Sequence, residues 1–151
     1  MAKSKIKTVV RVQDNSAKYL DKVTTGVEGL LKRSAFRIQG RAVESMVLMG
    51  VNRMDPRPEP NEFAEQPPGV DTGNLQSSIG VEFFRDGTNT LVARVGSNLV
   101  YARPLELGAP GRNLLPRPYL RPAFHAEGFF ASGYTDPFAS RLKKVLEKAG
   151  R

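Results

Sequence analysis

The sequence has no cysteine, no tryptophan and one histidine, His125. Without cysteine there is no thiolate nucleophile, no disulfide framework and no cysteine-ligated zinc. A single histidine cannot build a histidine metal cluster. Long apolar runs are also missing: the longest strongly apolar stretch, Met46–Val51, is far shorter than the roughly 20 residues that span a bilayer. The N-terminal stretch Met1–Val12 is basic but holds no apolar core of signal-peptide length. The expectation is a protein made and kept in a cytosol-like compartment, with no membrane partner. Fourteen glycines and eleven prolines in 151 residues stay below the level of wholesale disorder.

What the chain does have is positive charge. Lys and Arg number 23 against 15 Asp and Glu, a net charge of +8. Such an excess calls for an acidic or polyanionic partner. The length fits a single domain over 1–151, large enough to fold without staples.

Ile6–Val12 is rich in β-branched residues and reads as a strand. From Ala17 to Met49, Leu20, Val23, Val27, Leu31, Ala35, Ile38, Ala42, Met46 and Met49 recur at spacings of three and four, which predicts an amphipathic helix about 50 Å long. Gly26, Gly29 and Gly40 mark places where it would break, and Gly50 is its stop. Residues 55–69 interleave five prolines with Glu59, Glu62 and Glu65, a pattern for an extended loop. Val70–Ile79 reads as a helical turn capped by Asp71 or Thr72. Val81–Arg85 and Thr90–Val95 flank Asp86–Asn89 as a hairpin. Ser97–Gly108 holds a short helix ended by Gly108, whereas Pro110, Pro116, Pro118 and Pro122 predict an extended stretch. A terminal helix over 136–150 starts on Asp136-Pro137 and carries one apolar and one basic face.

Few groups converge on chemistry. Asp71-Thr72-Gly73 matches the tripeptide of aspartic proteases, in which two carboxylates share a proton. That motif belongs at the end of an apolar strand, and here Pro67-Pro68-Gly69 precedes it, so a loop-and-cap role fits better and a protease using Asp71 is a remote alternative. His125, Ser77 and Ser78 have no base or carboxylate at a telling spacing, and the loop glutamates lack the pattern of a calcium loop. No nucleotide fingerprint is present. The expectation is a non-enzyme without cofactor or metal. Arg33, Arg37 and Arg41, at i, i+4 and i+8, line one edge of the long helix. They are read as a solvated face paired with residues such as Glu44, as an interface, or as a DNA-facing edge. A basic, non-specific nucleic-acid binder is thus the alternative function, without the interleaved aromatics of single-strand binding.

The order of motifs says more. Val70-Asp-Thr-Gly-Asn-Leu-Gln-Ser-Ser-Ile79 precedes a hairpin ending in Val95-Gly96-Ser97; Val100-Tyr-Ala-Arg-Pro-Leu-Glu-Leu-Gly108 and Arg117-Pro-Tyr-Leu-Arg-Pro-Ala123 follow. This succession, behind a long amphipathic helix, resembles the tail-completion or neck proteins of tailed bacteriophages, from the first strand to about Phe124. Ala109 and Tyr119 depart from the usual Thr and Phe, the 55–69 loop is longer, and nothing from Gly128 onward matches. The resemblance implies an α+β fold, with the long helix packed on a small antiparallel sheet. It further implies a structural virion protein forming a ring in the head–tail connector, as a collar or tail-completion layer. That ring, a hexamer with a dodecamer as the alternative, would lie at the head–tail junction and be assembled in the host cytoplasm. Its partners would be neighbouring connector and tail proteins, with non-specific contact to DNA in the lumen. The matching residues are Asp71, Thr72, Gly73, Leu75, Ser78, Ile79, Gly96, Tyr101, Ala102, Glu106, Gly108, Arg117, Pro118, Leu120, Pro122 and Ala123. Structural roles follow: a cap from Asp71 or Thr72, tight backbone at Gly96 and Gly108, and core packing by Leu75, Ile79, Tyr101 and Leu120.

Overall fold

The computed structural model describes residues 15–48, 66–87, 90–128 and 137–150. The strand expected at Ile6–Val12 and most of the 55–69 loop lie outside them. Helix α1 spans Ser16–Leu48 without interruption. Its buried residues, Leu30, Ser34, Ala35, Ile38, Ala42 and Met46, follow the predicted spacing, but the stripe begins later than expected, since Leu20 is exposed. None of the three glycines breaks the helix. Gly26 has a packing reason to be glycine, because a Cβ there would lie 2.6 Å from Cγ1 of Val145.

Helix α2 (Asn74–Ser78) leads into β1 (Ile79–Arg85), which pairs antiparallel with β2 (Leu91–Ser97). The register sets Ile79 opposite Ser97 and Phe83 opposite Ala93. Alternation along the strands turns Ile79, Val81 and Phe83 to one face and Gly80, Glu82 and Phe84 to the other. The first set meets α1. Phe83 contacts Phe36 edge-on at 5.7 Å between centroids, and the Gln39 amide donates to the Ile79 carbonyl at 2.6 Å. Arg85 pairs with Glu28 at the other end of the strand, so β1 runs antiparallel to α1.

Helix α3 (Ala102–Leu107) ends at Gly108, a 3₁₀ turn follows at Pro110–Arg112, then α4 (Leu120–Ala126) and α5 (Pro137–Ala149). The stretch after Pro110 is therefore not extended throughout. Pro122 occupies the first turn of α4, where a missing N–H costs nothing, so its presence does not forbid a helix. The core lies where α1, β1 and α4 meet, built from Ile38, Ala42, Met46, Ile79, Tyr119 and Ala123 and flanked by Val70, Leu75, Val95, Leu105, Leu120 and Phe124. The architecture is α+β, a long helix packed on a two-stranded antiparallel sheet with helices after it.

Candidate functional site

Two glutamates organise the C-terminal half, one at each end of α4. Glu106, on α3, sends its carboxylate to the start of α4. Oε2 accepts the N–H groups of Tyr119 (2.8 Å) and Leu120 (3.0 Å), and Oε1 that of Arg121 (2.7 Å). A helix start leaves its first N–H groups unbonded and carries a partial positive charge. Here a carboxylate from another element takes those donors, and the next residue, Pro122, has none to offer. The Arg117 N–H donates to the Leu105 carbonyl at 2.7 Å, and its guanidinium donates to the carbonyls of Gln66 and Pro67. Burial lowers the Arg117 pKa from its usual value. Tyr119 is 1% exposed beside this cap, and burial first, then the negative charge of Glu106, push its hydroxyl up to about 12.

Gly108 completes the arrangement with φ +77, a conformation glycine adopts without strain. A Cβ there would come within 3.0 Å of the Pro116 nitrogen. Thus the Val100–Gly108 and Arg117–Ala123 motifs are two halves of one interlock.

Glu127 follows the last turn of α4 and is 1% exposed. Three arginines surround its carboxylate: Arg141 Nη1 at 2.6 Å from α5, and Arg41 Nε at 3.2 Å and Arg37 Nε at 3.4 Å from α1. A buried carboxylate is tolerable only with such partners. Among the described residues, this one carboxylate faces three guanidiniums. Arg37 and Arg41 approach through Nε and stay about half exposed.

The other singled-out residues are more dispersed. Arg33 is exposed on α1 with no ion pair among the described residues, and Arg37 and Arg41 take Glu127 rather than Glu44 as partner. Asp71 and Thr72 lie in an exposed bend, where Gly73, at φ +76, holds the capping position. The Thr72 hydroxyl accepts a long 3.4 Å bond from the Asn74 N–H. Asp71 therefore sits on a loop and not on the strand end that a protease dyad uses. Ser78 bonds the Leu75 carbonyl and the Ser97 hydroxyl, each at 2.7 Å, tying α2 to β2.

Gly96 has no positive φ, and open space surrounds the place of its Cβ, so no tight geometry requires glycine there. Tyr101 is 45% exposed and does not pack the core; Tyr119 fills that role, with Ala102 buried nearby. Pro118 is partly buried in the interlock, as are Leu120 and Leu75 at the core margin. His125 is exposed on α4. Among the described residues, no group of three or more His, Asp or Glu is placed to hold a metal ion, and no helix is long and apolar enough to cross a membrane.

Glu127 and its pairing with Arg41 and Arg141 escape sequence reasoning because those partners lie 86 and 14 residues away, outside any local spacing. The only usable signal was an arginine edge in excess of its nearby glutamates.

A long helix clasping a two-stranded sheet, with a carboxylate-locked loop behind it, defines a helix-on-hairpin α+β subunit. A family model described as "Bacteriophage HK97-gp10, putative tail-component" matches residues 4–108, and the chain belongs to this HK97-gp10-like family. That span contains α1, the hairpin and α3, and stops before α4 and α5. Neither a curated protein nor a solved structure matches the chain.

Proposed function

We propose that this protein is a structural virion protein that assembles as a ring in the head–tail connector, joining head to tail around the DNA channel. Membership in a family of bacteriophage tail components carries the reading and gives the protein a structural place in the virion beside other phage proteins. The ring, its position at the head–tail junction and its lumen are the finer part of the proposal. A hexamer is the preferred copy number and a dodecamer the alternative. Residues 1–151 act as one unit, with Glu127 bolting the segment beyond the family match onto α1.

Exposed apolar surface supports assembly. Val100, two residues before α3, is 94% exposed, Leu107 at the end of α3 is 62% and Leu48 at the end of α1 is 72%. Large apolar side chains left this open to water are surface that a neighbouring copy can cover. A ring uses one such surface against a different one on the next copy, closing by rotation. Native mass spectrometry and electron microscopy of the purified protein test this. Closed rings of one copy number are expected, whereas a monomer at every concentration and salt would overturn the ring.

A further inference from the structure

We propose that the flank shared by α1 and α5 is a binding surface for the phosphate backbone of duplex DNA. On α1, Arg33, Arg37 and Arg41 follow one another at four-residue steps. On α5, Arg141, Lys144 and Lys148 are spaced by three and four, so they share one side of that helix. The two rows are brought together by Glu127, which Arg37 and Arg41 reach from one helix and Arg141 from the other. Side chains beyond the meeting point, Arg33, Lys144 and Lys148, are exposed. The result is one strip of six cations with a buried carboxylate beneath it.

Glu127 acts here as a positioning residue. It fixes guanidiniums that would otherwise lose rotamer freedom on binding, while Arg37 and Arg41 stay half exposed to a ligand. Guanidinium forks match phosphate oxygens geometrically. A strip of like charge running over two helices suits a repeating polyanion better than a discrete carboxylate partner. Among the described residues, the exposed carboxylates on α1 and α5 are Asp21, Glu44, three residues beyond Arg41, and Glu147, beside Lys148. Base readout is not implied, because the strip presents no aromatic or amide side chain.

The strip rests on the ring reading only for its direction, since in a ring it faces the lumen. The test is the affinity of the full-length protein for a random-sequence duplex at 50 to 200 mM salt. Six phosphate contacts give a loss on the order of a thousandfold over that range. The variant Arg33→Gln/Lys144→Gln/Lys148→Gln leaves the Glu127 cluster intact, and it reduces that loss to about 40-fold. The control Arg103→Gln/Arg112→Gln/Arg121→Gln removes equal charge from exposed positions elsewhere and leaves the salt dependence unchanged. Equal effects of the two variants would overturn the strip, since net charge alone would explain binding. Wild-type protein that closes into rings yet binds no duplex would overturn it while sparing the ring. Duplex binding of the stated form by a protein that never forms rings supports the strip and removes the ring. If the first variant kept full DNA affinity but its rings failed to join neighbouring virion proteins, an acidic protein would be the ligand and the proposal would be wrong.

Discussion

Glu106 and Glu127 are both partly or wholly withdrawn from water at opposite ends of α4, yet they are neutralised in different currencies. Glu106 is held by three backbone N–H groups whose positions follow from the helix itself. Glu127 is held by three side chains from two other helices. The first arrangement is local to one interlock of two nearby segments. The second exists only once α1, α4 and α5 have docked. A carboxylate on backbone donors fixes a loop; a carboxylate on arginines fixes the relative placement of helices and organises surface charge.

The largest expected effect falls on Glu127. Glu127→Ala leaves three converging guanidiniums without their counter-charge and destabilises by about 3 kcal/mol, at the low end for a broken buried pair because two arginines can turn to water. Denaturant unfolding measures it. Glu106→Ala strands the N–H groups at the start of α4 and costs about 2 kcal/mol. Salt sharpens the contrast: raising it to about 1 M screens the half-exposed arginines and narrows the difference between wild type and Glu127→Ala. The Glu106→Ala difference stays nearly constant. Equal salt responses would erase the distinction between the two sites.

A smaller effect lies at Gly108, where a side chain meets both positive φ and the Pro116 backbone. Gly108→Ala costs about 1–2 kcal/mol by shifting Glu106 from α4. The mildest test reads the charge of Glu106 through its neighbour. Tyr119 is raised from 10.0 to about 12, so between those pH values the unfolded chain loses a proton that the native state keeps. This contribution to stability is intact below pH 10 and declines as pH rises toward 12. Glu106→Gln removes the negative charge and lowers the Tyr119 pKa, measurable by ultraviolet titration. An unchanged titration would exclude Glu106 as a cause of the shift.

Much of the fold is legible in the sequence because its signals are local. Three- and four-residue spacing reveals α1, alternation about Asp86-Gly87 reveals the hairpin, and Gly108 marks the end of α3. The first turn of α4 is hidden because Pro122 argues against helix until its position within that turn is known. Tyr101, expected in the core, is exposed and Tyr119 is buried, since motif position does not report which ring faces the core. Glu106 stands out in its motif, although its contact with α4 does not. Glu127 is invisible: a glutamate after His125-Ala126 acquires meaning only when α1 and α5 arrive around it.

The most direct test of the proposed role is a reconstruction of the virion with this chain located in the density. Copies arranged in a closed ring at the head–tail junction, with the α1–α5 flank toward the DNA channel, are the expected result. Particles complete with head and tail but lacking the chain would contradict it.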